Sequence, residues 1–239
     1  MSEFKLTTLP NHASLARQTS VGGRVYDVLR SAIVQLQLRP GHSLSEAEIA
    51  SQLGVSRQPV REAFIKLSEA GLVEIRPQRG TFVRLISKRE VENAQFLREA
   101  IEVAIVRKAA SQGDGKGIEN LRALIEQQRI ATARGDHSGF LRLDEQFHQA
   151  VAASVGCEDA WRVLDTLKAQ MDRVRYLSLP QATPLEVLID QHVRIVDAIE
   201  EGSPADAEEA MHAHLREILK SLPMLAETEK HVLNIGAHH

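Results

Sequence analysis

Residues 56–84 read SRQPVREAFIKLSEAGLVEIRPQRGTFVR, and the period of their apolar side chains changes partway along. Val60, Phe64, Leu67 and Leu72 follow helical spacing, which gives one core-facing stripe. Gly71 then closes the helix and residues 72–75 read as a short strand. Pro77, Gln78, Arg79 and Gly80 suit a turn, and residues 81–83 return as a second strand. Ser56 is placed as the helix N-cap. Arg57 and Arg61, four apart, leave the same face near the N-terminus with Gln58 beside them. A helix that enters the major groove does so by this end, and Arg and Gln make bidentate contacts to guanine and adenine edges. Arg76, Arg79 and Arg84 line the hairpin with positive charge, as a wing touching phosphates or the minor groove requires.

Upstream, Ser45 and Glu48 form a capping box that opens a helix carrying Ile49, Ala50 and Leu53. Gly54 and Val55 make a tight turn into Ser56. Earlier still, Val25, Val28, Leu29, Ile33 and Leu36 stripe another helix, stopped by Arg39, Pro40 and Gly41. The order is helix, helix, turn, helix, wing. Charge is partitioned to match: residues 20–84 hold nine Lys/Arg against six Asp/Glu, whereas residues 85–239 hold 18 against 25. A net charge of −3 therefore hides a basic segment on an acidic body.

Residues 24–84 resemble the winged helix-turn-helix of GntR-family bacterial transcription regulators, most strongly through LSEAEIASQLGVSRQPVREAFIKLSEAGLVE. The resemblance implies operator DNA bound by a homodimer, with Ser56, Arg57, Gln58 and Arg61 at the major groove and Gln78, Arg79 and Gly80 of the wing on the minor groove. Gln58 stands where the family often has Thr, and Ala47 where some members have Arg, differences that bear on the operator sequence.

At 239 residues, with 43% hydrophobic but only 4% aromatic residues, the chain has room for two domains packed from aliphatic helices. No apolar run reaches eighteen residues, so neither a membrane span nor an anchor is expected. Cys157 is the sole cysteine and excludes an internal disulfide, in keeping with a reducing cytoplasm. The predicted organisation is a mobile arm over residues 1–19, a winged helix-turn-helix domain over 20–84, a helical domain over 85–225 and a tail over 226–239. No convincing strand follows Ser87. Helical periodicity breaks at 111–117, 134–138, 156–159, 178–184 and 202–204, which predicts an antiparallel bundle of about six helices. Thr183 before Pro184 and Ser203 before Pro204 each read as an N-cap with proline at the first helical position. The fold class is mainly α.

Polar residues interrupt the apolar stripes of three of these helices. Asp144 and His148 share a face with Phe140, Phe147 and Val151. His192 lies among Leu185, Leu188, Ile189, Ile195, Val196 and Ile199, and His214 among Ala207, Ala210, Met211, Leu215 and Ile218. His212 points away. Any one of these histidines alone reads as a hydrogen-bonded core residue. Four inward groups on three helices are harder to satisfy by side-chain pairs, and one divalent metal satisfies them together. Zinc comes first, with nickel or manganese as alternatives.

Residues 88–221 resemble the all-helical FCD effector domain of the FadR subfamily, in its shorter VanR-like branch, through LREAIEVAIVRKAA, LDEQFHQAV, DQHVRIVDAIEEG and AMHAHL. The resemblance implies a metal on Asp144, His148, His192 and His214, with positions left open for a small carboxylate or sugar acid. Cys157 occupies the place where Asn is usual. Arg98, on a stripe with Ala94, Leu97, Ile101 and Ile105, either pairs structurally with Glu102 or binds ligand with it. Arg142, Arg173 and Arg175 are further candidates for the pocket wall, although Arg173 and Arg175, two apart, cannot both face inward on one helix. No nucleophile motif or phosphate-cradling loop points to an enzyme. The rival readings are a metallohydrolase fused to a DNA-binding domain and a constitutive DNA-binding protein with a purely structural metal.

Overall fold

The computed structural model of the chain describes residues 6, 20–112, 115, 117–178, 184–229 and 231–234. Most of the predicted arm, Thr183, and the terminal His238 and His239 lie outside the described residues. Two compact units divide the chain. One takes everything up to Ser87 together with Glu229–Asn234, and the other takes Lys88–Thr228.

In the first unit, α1 (Val21–Val34) starts at Ser20, whose hydroxyl accepts from the Gly23 amide. After β1 (Ser43–Leu44), α2 (Glu46–Leu53) is capped by Ser45, which accepts from the Glu48 amide. Gly54 turns the chain at φ +65°, in the left-handed region where a side chain would be strained. Ser56 then caps α3 (Arg57–Glu69) by position, without a side-chain hydrogen bond. β2 (Val73–Arg76) and β3 (Gly80–Val83) form the wing, and β1 pairs with the far edge of β3 to make an antiparallel sheet in the order β1-β3-β2. Val25, Leu29, Ile33, Ile49, Val60, Phe64, Leu67 and Leu72 are buried together, each contributing about 1.5–3 kcal/mol over exposure.

The reading of no strand after Ser87 is corrected here. β4 (Ile86–Ser87) pairs in parallel with β5 (Leu233–Asn234) from the far end of the chain. The Ile86 amide donates to the Val232 carbonyl at 2.9 Å, and Ile86, Val232 and Leu233 are buried. A two-residue strand carries too little periodicity to register in sequence.

The second unit contains α4 (Lys88–Gln112), α5 (Ile118–Ala133), α6 (His137–Ser154), α7 (Glu158–Leu167), α8 (Ala169–Ser178), α9 (Leu185–Glu200), α10 (Pro204–Arg216), a 3-10 helix (Glu217–Ser221) and α11 (Leu222–Thr228). Among the described residues these are eight α-helices rather than six. The predicted 159–178 helix breaks at Lys168. The predicted final helix tightens to 3-10 geometry ahead of Pro223, whose missing N–H cannot continue an i→i−4 ladder. Ser203 precedes Pro204 as expected, but Pro184 is itself the N-cap of α9 and not its first helical residue. Phe140, Phe147, Val106, Ile195, Val196 and Leu215 are among the buried side chains of this core.

Candidate metal centre and nucleic-acid interface

Asp144 and His148 sit one turn apart on α6, His192 on α9 and His214 on α10, and all four are buried. One donor atom from each lies within 4.8 Å of every other. His148 Nε2 is 3.0 Å and His192 Nε2 3.3 Å from His214 Nε2, while His192 Nε2 is 3.5 Å from Asp144 Oδ1. Ligands held about 2.0–2.1 Å from one ion stand about 3.0–3.4 Å apart.

The outer nitrogens show what the inner ones carry. His148 Nδ1 lies 2.5 Å from Glu102 Oε2, a carboxylate that only accepts. Gln191 Nε2 donates to Glu217 at 3.0 Å, which turns its Oε1 toward His214 Nδ1 at 3.1 Å as an acceptor. His192 Nδ1 meets Gln128 Oε1 at 2.8 Å. Where each Nδ1 bears the proton, the Nε2 atoms of the three imidazoles offer lone pairs toward one point. Burial pushes the His192 imidazole down to about 3 and lowers His214 well below the usual histidine range, so both are neutral at pH 7. Asp144 Oδ1 is buried without a hydrogen-bond partner. An unpartnered carboxylate oxygen beside three lone pairs is the donor set a divalent cation completes.

Charge on the other side of Asp144 keeps it ionised. Burial would raise its carboxyl, but Arg175, whose guanidinium donates to Oδ2, outweighs that and holds it well below the carboxylate range. Glu102 shows the same balance: burial opposes ionisation, and Arg98 with the His148 imidazole brings the carboxyl to about 2. Phe147 stacks on His192 with centroids 4.2 Å apart, and Trp161 lies parallel to His148 at 6.1 Å. These rings fix the imidazole planes.

A cavity of about 30 Å³ adjoins the cluster, lined by Arg98, Asp144, Arg175, His214, Glu217 and Ile218 among others. Arg98 and Arg175 thus reach the cavity, and Arg98 also makes the buried pair with Glu102. Arg142 does not: it is exposed, stands 3.9 Å from Asp136 and borders a separate surface depression with Arg134. Leu97, placed by periodicity on the buried stripe of α4, is 38% exposed, and the stripe runs through Val91, Ala94, Gln95, Arg98, Glu102 and Ile105. Arg173 and Arg175 are both buried, but only Arg175 lines the cavity. α8 is enclosed on more than one face, so Arg173 is fully buried against Gln170 while Arg175 turns to Asp144.

Sequence reasoning missed Gln128 and Lys168. Gln128 sits at a stripe position of α5 with Leu121, Leu124, Ile125 and Ala131, the same signal that marked the histidines. Lys168, at the helix break, gave none. Its ammonium is buried, 2.5 Å from Glu145 and 2.6 Å from Asp172 and 5.8 Å from the Trp161 ring. Asp172 in turn lies 3.8 Å from Arg175.

In the first unit, Ser56, Arg57, Gln58 and Arg61 are exposed at the start of α3. Arg61 is held by Glu46 of α2 through Nε and Nη2 at 3.0 and 2.9 Å, and Gln58 donates to Glu62 at 3.1 Å. At the wing tip Gln78 adopts φ +62° and Gly80 φ +104°, and Gln78, Arg79 and Gly80 all face solvent. Arg76 packs over Phe82, 4.9 Å from its centroid, beside the turn of the hairpin. No helix among the described residues is long and apolar enough to cross a membrane.

Residues 21–83 match the family described as Bacterial regulatory proteins, gntR family, and residues 94–217 match the FCD domain. The HTH-type transcriptional repressor RspR of Escherichia coli K12 is 43% identical over 87% of this chain and 91% of its own length. A probable D-xylose utilization operon transcriptional repressor of Paenarthrobacter nicotinovorans is 32% identical over 83% and 87%. Among solved structures, a putative GntR transcriptional regulator from Rhodococcus sp. RHA1 aligns with TM-score 0.71 and 26% identity, covering 84% of this chain and 98% of that one. McbR/YncC of E. coli shares the fold at TM-score 0.74 and 19% identity, covering 89% and 100%.

Proposed function

Because this chain belongs to the gntR family of bacterial regulatory proteins and carries an FCD domain, we propose that it is a transcriptional repressor whose helical unit holds one divalent metal and senses a small organic acid there. The observation that carries this reading is the convergence of three Nε2 lone pairs and an unpartnered Asp144 oxygen in a buried core. Asp144, His148, His192 and His214 would hold the ion, zinc first and nickel or manganese next. Glu102, Gln128 and Gln191 orient the imidazoles. When bound, the ion supplies a Lewis-acid position for a carboxylate. Arg98 and Arg175 place two guanidiniums on the adjoining cavity, suited to the remaining oxygens of a di- or tricarboxylate or a sugar acid.

DNA is contacted by Arg57, Gln58 and Arg61 from the major groove and by Gln78, Arg79 and Gly80 from the wing. A homodimer would place two such units on a pseudo-palindromic operator in the cytoplasm. The repressor sense is supported by the names that two relatives bear. A ligand moves the operator equilibrium only by its differential affinity for the two states.

The test is metal analysis of purified, untagged protein beside His148→Ala and His214→Ala, followed by calorimetry with di- and tricarboxylates and sugar acids, and gel shifts with the acid that binds. One metal per chain, lost in both variants, with an acid that binds only the metal form and weakens operator binding, is expected. Metal present with no acid bound would make the ion a structural pin. Turnover of an ester or amide that vanishes in His192→Ala would favour the hydrolase.

A further inference from the structure

The cavity beside the cluster, at about 30 Å³, has room for about two or three waters and is tight for a di- or tricarboxylate. Glu217 is among its lining residues, with its carboxylate held by Lys220 at 2.8 Å and by the Gln191 amide at 3.0 Å. A ligand must therefore displace something. Helices α4, α6, α8, α9 and α10 bring the other lining residues. Glu217 and Ile218 lie instead on the 3-10 segment Glu217–Ser221, where hydrogen-bond geometry is poorer and a change of winding costs little.

That segment is tied at both ends. Toward the metal site, His214 Nδ1 meets Gln191 Oε1 at 3.1 Å and Gln191 Nε2 donates to Glu217 at 3.0 Å. One carboxamide therefore spans from an expected metal ligand to the cavity wall. Toward the C-terminus, α11 follows at once and is anchored by buried Leu222 and Leu225. The backbone then passes from Thr228 into Glu229, whose carbonyl accepts from the amides of Val232 and Leu233. From Glu229 to Asn234 the chain belongs to the unit that bears the wing. There β5 pairs with β4, and the next residue after β4 is Lys88, the first of α4. The crossings at Ser87–Lys88 and Thr228–Glu229 thus both lead into one two-rung ladder.

We propose that a ligand entering the metal site expels Glu217, rewinds the 3-10 segment, and through α11 pulls on β5, loosening the ladder that fixes the exit of the DNA-binding unit. This rests on the metal-site reading above. The movable parts are a segment with two available windings and a ladder of few hydrogen bonds, the kind of element whose balance a distant site can bias.

The test is hydrogen exchange of the Ile86 amide, which donates to Val232, in the full chain without metal, with zinc, and with zinc plus citrate as the probe. A second protein carries Gly-Ser-Gly-Ser inserted between Thr228 and Glu229, which keeps every side chain and the clip but slackens its connection to α11. Citrate with zinc should change Ile86 exchange about fivefold or more in the parent, and the insertion should abolish that change while zinc content and citrate affinity stay at parental values. Zinc and citrate bound by the parent with Ile86 exchange unmoved would overturn this inference alone, without any need for the insertion protein. An equal change in both proteins would overturn it too and assign the signal to α4. Failure of the parent to bind zinc or citrate would overturn the sensor reading and this inference with it.

Discussion

His148 Nε2 and His214 Nε2 stand 3.0 Å apart, while Glu102 lies 2.5 Å from the one Nδ1 and Gln191 3.1 Å from the other. A cation bound by both Nε2 atoms would relieve the repulsion of facing lone pairs. Chelation should lower the melting temperature of the helical unit by roughly 5–10 °C at metal about a hundredfold above its dissociation constant. In His148→Ala the difference should disappear. Calorimetric scans with and without EDTA check this, and coincident scans for wild type would refute it.

Gln128 orients His192 without touching the other three donors. Gln128→Leu should weaken zinc binding about 10–100-fold with the stoichiometry unchanged, whereas His192→Ala should lower the stoichiometry itself. Competition against a chromophoric chelator separates the two, and equal affinities for wild type and Gln128→Leu would count against a positioning role.

Lys168 holds Glu145 and Asp172 together in the interior. Lys168→Met leaves two carboxylates without their cation and should cost about 3–5 kcal/mol in urea unfolding. Burial works against the ammonium, but Asp172 and Glu145 raise it above the lysine range. Its contribution is therefore complete below the ordinary lysine value and lost as pH rises through the raised one. The gap between the two proteins should stay flat from about pH 6 to 9 and close only in strong alkali; a gap that vanishes near neutrality would contradict the arrangement.

Arg57 and Arg79 should separate in a binding-site selection. Arg57→Ala should relax base preference at a cost of about 1–3 kcal/mol, while Arg79→Ala should weaken all sequences alike and reduce the salt slope by about one. Identical sequence profiles for wild type and Arg57→Ala would remove Arg57 from the groove.

Arg61 is already bidentate to Glu46 in the free protein. Glu46→Gln should loosen it and remove the negative charge that α2 places beside the N-terminal end of α3. Gel shifts at two salt concentrations should then show tighter binding to random-sequence duplex with a steeper salt dependence. Unchanged binding would mean that Arg61 keeps its partner on DNA.

Much of this was legible because stripe positions report direction. Phe140, Asp144, Phe147, His148 and Val151 are all buried, as helical spacing requires, and so are His192 and His214 with their apolar neighbours. The N-caps Ser45, Ser56 and Ser203 were visible for a similar local reason. The contacts that complete the site were not. Gln191 follows no stripe and matters because Glu217, 26 residues on, settles which way its amide points. Lys168 and Asp172 look like surface charges until α8 is enclosed, and Arg175 is only one of three arginines that could reach the pocket wall. Strand β5 is defined by a partner 147 residues away in register, a pairing no local window contains.

Helix α8 has a bearing on how the chain folds. It buries Gln170, Asp172, Arg173 and Arg175 as well as Met171 and Val174, so hydrophobic collapse alone gives it little to fasten by. Arg175 meets Asp144 of α6, and Asp172 meets Lys168 at the preceding break, so docking of α8 is expected to follow formation of α6. Asp144 would receive Arg175 only at that step, and the candidate metal centre would gain its full electrostatic setting late.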